Sequence, residues 1–230
     1  MGPPSGGAVV SARGTTARDA VLGAVRAALA DAEPAPTVPR AYRRAGERPS
    51  GDVDGLLDLL VDRLEDYRGT VVRCAPGDVR VAVAAQLEGA GSVVTPTGLP
   101  GEWSSAPGDV GVEVRVDDDA APLSHAELDS TGAVLTACRV AVAETGTIVL
   151  DGGPDQGRRA ITLLPDRHVC VVRADQVVAG VPEAVAVLAE HPGRPLTWVS
   201  GPSATSDIEL VRVEGVHGPR DLRVVVVGAG

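Results

Sequence analysis

Aromatic side chains are nearly missing from this 230-residue chain: it has two Trp, two Tyr and no Phe. The core must therefore be built from Val, Leu, Ile and Ala. Lys and Asn are absent altogether, a bias of GC-rich coding rather than of mechanism. Acidic residues number 31 against 21 basic ones, for a net charge of −10. That balance argues against nucleic-acid binding, which neutralises phosphates with basic side chains. It argues equally against docking on an anionic membrane. Apolar runs are too short for a transmembrane helix, which needs about 18 or more residues. The start of the chain, Met1-Gly-Pro-Pro-Ser-Gly-Gly7, lacks the charged first part and long apolar core of a signal peptide. A cytoplasmic protein is expected, with no membrane insertion and no nucleic acid as partner.

Cysteine is scarce too. Cys74, Cys138 and Cys170 are isolated, and no C-x-x-C occurs. No iron–sulfur cluster or structural zinc site can be written from them. Cys138 and Cys170 sit in apolar runs and read as small buried hydrophobes. Nucleotide-binding glycine fingerprints, H-E-x-x-H and the G-x-S-x-G elbow are all missing. The expected metal ligands are none, and the expected cofactors are none.

What is present alternates between strand-like and helix-like segments. Residues 15–30 read as a helix, with Val21, Leu22, Val25, Ala28 and Leu29 at helical spacing. Residues 31–50 hold four Pro and cannot form a continuous helix. They read as an extended arm or a poorly ordered linker. The expected division is residues 1–50, an N-terminal helix and Pro-rich arm, and residues 51–230, an α/β domain. Within the second part, helices are expected over 52–67, 78–87, 124–129, 158–164 and 182–190. Ser124 with Glu127 makes a capping-box pattern at the third of these. Strands are expected over 70–74, 92–95, 110–116, 133–137, 147–150, 168–173, 196–200 and 222–227, with 139–143 extended. Several, such as Val224-Val-Val-Val227, are continuous apolar runs rather than alternating ones. Strands of that kind are buried on both faces, as in a mostly parallel sheet between helices. The fold class is therefore α/β, a three-layer sandwich with a mostly parallel sheet. Ligands in such sheets bind outside the carboxyl ends of the strands, and two loops are expected there.

The first loop is Ser200-Gly-Pro-Ser-Ala-Thr-Ser-Asp207, after an apolar run ending at Val199. Ser200, Gly201, Ser203 and Thr205 offer hydroxyls and backbone amides to an anion. Asp207 is placed to cap a helix starting at Ile208, and Glu209 follows it. A capped loop without a ligand is the other reading. The second loop is Glu144-Thr-Gly-Thr147. Thr145, Gly146 and Thr147 join the ligand-binding candidates. Glu144 is costly to bury unless paired or used, with Arg139 and Arg158 as possible partners. It reads as a salt-bridged turn residue, a group that orients a ligand or coordinates a metal, or a nucleophile or base for acyl transfer. Glu209, Glu214 and His217 could converge for a metal or for general acid–base work, with His217 as a catalytic candidate beside Glu144. A surface turn is the alternative. His168 reads as a satisfied structural histidine.

Several longer segments then fall into one pattern: Ala143-Glu-Thr-Gly-Thr-Ile-Val149, Leu163-Leu-Pro-Asp-Arg-His168, Val172-Arg-Ala-Asp-Gln176, Ser200-Gly-Pro-Ser-Ala-Thr-Ser-Asp-Ile-Glu209 and Val213-Glu-Gly-Val-His-Gly-Pro219. The chain resembles the LUD-domain family of the lactate utilization protein C type, most closely over residues 120–230. The resemblance implies a fold like the NagB/RpiA/CoA-transferase-like group. It implies a part in oxidising L-lactate to pyruvate, with the iron–sulfur lactate utilization proteins A and B as partners and a small carboxylate as ligand. The clusters would then reside in those partners. Two other functions fit the residues: a stand-alone acyl- or CoA-handling enzyme with Glu144 as nucleophile, and a small-molecule sensor without catalysis.

Overall fold

Leu56, Leu57, Leu60 and Leu64 recur at helical spacing, and all four are buried on one face of helix α2 (Val53–Asp66). The side chain of Asp52 accepts from the Gly55 amide and caps the helix. In the computed structural model, residues 16–33, 36–46, 51–205, 213–214 and 218–228 are described. The chain divides into two units, Met1–Tyr42 and Arg43–Gly230. The first carries α1 (Ala17–Ala28), opened by a reciprocal capping box between Thr16 and Asp19. Its Val21, Val25 and Leu29 are exposed.

The second unit is built on a six-stranded sheet. Its members are β1 (Thr70–Cys74), β2 (Ser92–Pro96), β3 (Glu113–Asp117), β4 (Ala133–Ala137), β7 (Arg167–Arg173) and β12 (Asp221–Val227). They lie in the order β1-β12-β7-β4-β2-β3, and every neighbouring pair is parallel. Val224 to Val227 are all at least 95 % buried, because β12 is central and covered on both faces. Each such valine contributes about 1.5–3 kcal/mol by leaving water. The edge strand β3 instead alternates Val114 and Val116 with Glu113 and Arg115, which blunts the open edge.

Alternate residues of the sheet feed opposite layers. Val93, Leu135, Val169, Val171, Val225 and Val227 pack under α3 (Val79–Leu87) and Trp103 of the short α4 (Gly101–Ser105). On the other face Val94 and Val134 meet Leu128 of α5 (His125–Asp129), whose Ser124–Glu127 capping box forms as expected. Cys170, Val172, Val224 and Val226 meet α2 there. The α/β sandwich with a parallel sheet is thus as expected.

One layer was not foreseen. A second sheet, in the order β8-β5-β6-β9, packs on the α2 face. It consists of β5 (Val140–Val142), β6 (Thr147–Leu150), β8 (Val177–Val178) and β9 (Thr197–Val199), with β6 antiparallel to both neighbours. Ala141 and Ile148 point to the main sheet side, while Val140, Val142 and Val149 pack on α6 (Val181–Leu188). A two-residue pairing of β10 (Ala204–Thr205) with β11 (Val213–Glu214) completes the strands. The helix expected over 158–164 is a single 3-10 turn, Arg159–Thr162. Arg158 before it is held by Asp117, and Pro165 follows shortly. No helix among the described residues is long and apolar enough to cross a membrane.

Candidate functional site

Residues 144–147 form the turn between β5 and β6, and Ser200 follows β9. Because β9 lies antiparallel to β6, the two loops meet at one end of the second sheet. Thr145, Thr147 and Ser200 are thereby brought together. Their hydroxyls form a chain, 2.7 Å from Thr145 Oγ1 to Thr147 Oγ1 and 2.8 Å from there to Ser200 Oγ. Each hydroxyl already has a protein partner.

The expected position of these loops at the carboxyl edge of the parallel sheet is corrected. Gly146, at φ +60, lies against Arg63, and Gly201, at φ +81, lies against Tyr67. Both contacts are on the last turns of α2, which leads into the start of β1, so the cluster sits towards the amino edge. The strands that carry it belong to the other sheet. A side chain at either glycine would strike α2, with a Cβ at Gly146 falling 2.7 Å from the Arg63 Cβ.

Glu144 is exposed rather than buried, and its amide donates to Ala179 O. Neither expected arginine reaches it. Arg158 pairs with Asp117 through two hydrogen bonds of 2.8 and 2.9 Å, and Arg139 pairs with Glu190. The carboxylate of Glu144 instead lies beside Gly180, close to that of Glu183. Ser203 donates its amide to Pro219 O, and Thr205 pairs with Val213 in the short hairpin. Asp207, Glu209 and His217 lie outside the described residues. His168 is the buried structural histidine expected, with its Nε2 2.8 Å from Thr136 Oγ1. Cys138 and Cys170 are buried as expected.

The carboxyl edge of the main sheet holds a different constellation. After β1 the chain turns to the α3 face, whereas after β7 it turns to the α2 face. Strand β12 ends between them. Divergence of neighbouring connections opens a crevice at such a switch point, and this is where open α/β sheets bind ligands. A cleft of about 380 Å³ lies here, lined by Val53, Pro76, Arg173, Ala174, Asp175, Val227 and Gly228. Its walls are mainly apolar, and Arg173 is the cation. Asp175 Oδ1 accepts from Arg173 Nε at 3.0 Å. Both side chains are part-exposed, so the pair aligns the guanidinium without burying it. Among the described residues, the two terminal nitrogens of Arg173 have no acceptor, so the fork is free for a carboxylate.

The turn that presents Arg173 is tied down by Gln176. Its Nε2 donates to Cys138 O at 2.6 Å, and its Oε1 accepts from the Arg173 amide at 3.0 Å. One side chain thus links the ends of β4 and β7. A second cleft of about 190 Å³ lies across this turn, lined by Arg139, Gln176 and Val187 among others, and it shares Arg173 and Asp175. Sequence reasoning missed Arg173, Asp175 and Gln176 as site residues. The available signal was an Arg at the end of a continuous apolar strand, inside the segment 172–176.

The LUD domain model matches residues 58–227, about three quarters of the chain. The chain belongs to the LUD domain family. Among relatives, a Lactate utilization protein C from Deinococcus radiodurans is 53 % identical over 175 residues, covering 75 % of this chain and 80 % of that protein. A Lactate utilization protein C from Bacillus subtilis is 28 % identical over 76 % of this chain and 70 % of that protein. The match to the Bacillus licheniformis protein of the same name is 32 % identical and spans only 49 % of its length. A crystal structure of a DUF162 family protein from Deinococcus radiodurans superposes with a TM-score of 0.64 at 44 % identity, covering 76 % of this chain and 98 % of that one. The matched residues include Arg173, Gln176, Thr147 and Ser200, whereas Val53 and Gly228 of the cleft lie outside them.

Proposed function

We propose that this LUD domain protein takes part in L-lactate utilization, in the oxidation of lactate to pyruvate, and that it holds a small carboxylate on Arg173. The observation that carries the role is its 53 % identity to a Lactate utilization protein C across most of both chains. The observation that carries the ligand is the free fork of Arg173 at a switch point, oriented by Asp175.

In this reading the chain acts beside iron–sulfur partners, the lactate utilization proteins A and B, and itself holds no cluster. A four-cysteine cluster exceeds the three isolated cysteines of this sequence. Electron transfer then belongs to the partners, and this chain contributes ligand binding and contact surface. A charge-assisted bidentate bond is the right chemistry for lactate or pyruvate, both of which are carboxylates at neutral pH.

The test is growth on L-lactate of a strain lacking this protein, with rescue by plasmid copies. The wild-type chain restores growth, and Arg173→Gln does not, although it is expressed and folded. Absence of rescue by the wild type overturns the role. Full rescue by Arg173→Gln keeps the role and removes Arg173 as its anchor. Thr147→Val and Ser200→Ala, run alongside, report on the hydroxyl cluster; loss of growth in these two alone would return the ligand to the 144–147 and 200–207 loops.

A further inference from the structure

Arg173 can anchor one carboxylate, but the cleft beside it is far larger than that group requires. Its volume of about 380 Å³ falls within the range of roughly 300–1,000 Å³ that holds drug-sized ligands. Lactate, held by its carboxylate, would leave most of that space to water. The remaining walls are Val53, Pro76, Ala174 and Val227. Such a surface has no hydrogen bond to offer beyond its backbone and favours apolar atoms. Polarity is therefore concentrated at one end, where Asp175 orients the guanidinium, and the rest is apolar.

We propose that the switch-point cleft takes an amphipathic monocarboxylate longer than lactate, with the carboxylate on Arg173 and an apolar tail along Val53, Pro76 and Val227. The proposal rests on the reading of Arg173 as the carboxylate anchor, but not on the lactate role. It names a ligand class: medium-chain hydroxy, oxo or simple acids. Binding strengthens with each methylene the walls cover, until the cleft is full. Burial of one methylene corresponds to about a four-fold gain in affinity.

The cleft also offers a position for an internal control. Gly228 lines it, and a Cβ built there meets only Cys74 O at 3.7 Å, an ordinary contact. Gly228→Ala thus narrows the cleft with a single methyl that meets only this ordinary contact.

The experiment is isothermal titration of the full chain with L-lactate, 2-hydroxybutyrate, 2-hydroxyhexanoate and 2-hydroxyoctanoate, all below micellar concentrations. The expected result is a dissociation constant that falls about three- to four-fold per methylene over the shorter members. Arg173→Gln weakens every member by roughly ten-fold or more while the slope with length persists. Gly228→Ala, which takes up part of the apolar end of the cleft, reduces the slope with chain length. Affinity that is flat or falls with length overturns the proposal, as does a full length series that Arg173→Gln leaves intact. Loss of the growth phenotype as a link to lactate leaves this series standing, so failure of the role and failure of the cleft are told apart.

Discussion

Gln176 is the most economical place to test the architecture of the cleft. Its side chain is the only connection described between Cys138 O and the Arg173 amide, at 2.6 and 3.0 Å. Gln176→Leu keeps the approximate size and removes both bonds, together with the long 3.7 Å bond that Oε1 accepts from Cys138 Sγ. It leaves one carbonyl and one amide without partners at a partly buried position. An unsatisfied buried group costs about 1–3 kcal/mol, and partial access to water puts both near the low end. The expected loss is therefore about 2–3 kcal/mol. For a unit of this size each kcal/mol shifts Tm by roughly 2–4 °C, so melting should fall by about 4–12 °C. Calorimetry reads that global effect, and hydrogen exchange reads the local one. The Arg173 amide, protected through Gln176 Oε1, should exchange at least about ten-fold faster, following a rise in local opening. Lactate should also bind more weakly, because the strand end that carries the anchor is looser. A variant that melts within about 1 °C of the wild type, with the Arg173 amide still protected, would refute the clamp.

Three further outcomes follow from particular contacts. Asp117 is 7 % exposed, and burial alone would push its carboxyl up. Hydrogen bonds from Arg158 and from the Leu123 amide, with the guanidinium charge, outweigh that and hold it below the usual carboxylate range. Its stabilisation is thus fully present above the unfolded value, near 3.8, and is lost as pH falls through the lower folded value. Asp117→Asn should cost about 2 kcal/mol in urea titrations at pH 7, with the gap closing below about pH 4; a gap that widens in acid contradicts the pairing. Gly146→Ala should lose about 2–3 kcal/mol by thermal or urea unfolding, since it combines a left-handed φ with a 2.7 Å approach to the Arg63 Cβ; a neutral result would mean the turn does not rest on α2. Of the three thiols, Cys74 alone is partly accessible, and burial followed by the Asp78 charge pushes its thiol up. A chromogenic disulfide reagent should therefore titrate one slow thiol at neutral pH and all three only after unfolding, whereas two fast thiols in the native protein would contradict the burial of Cys138 and Cys170.

Much of the fold was legible because local signals and packing agree. The runs at 70–74, 133–137 and 147–150 are strands with those bounds. The capping box at Ser124 forms because its reciprocal bonds are local, Glu127 Oε2 accepting from the Ser124 amide at 2.8 Å. Helix α2 was legible from its leucine stripe. The second sheet was not, and the reason is physical. Its strands are sandwiched between the main sheet layer and α6, so β5 and β6 are buried on both faces. They therefore carry the same continuous apolar pattern as the parallel strands. Burial on two faces marks a covered strand; it does not say which sheet the strand joins.

That ambiguity explains where the site was sought. A small, hydroxyl-rich loop after an apolar run suggests a carboxyl edge only if the run belongs to the parallel sheet. Thr147 opens β6 and Ser200 follows β9, both strands of the second sheet, and their hydroxyls lie 2.8 Å apart. Arg173 is the opposite case: it closes one of the two seven-residue strands, and its terminal nitrogens have no acceptor among the described residues while the neighbouring Asp175 holds Nε with one oxygen. A guanidinium paired through Nε alone, with its terminal nitrogens without an acceptor among the described residues, is suited to an anion from outside the fold. On the proposal made above, the site is marked less by a density of polar residues than by one polar group whose bonds the fold leaves incomplete, and that property becomes visible only when the strand order shows which connections diverge.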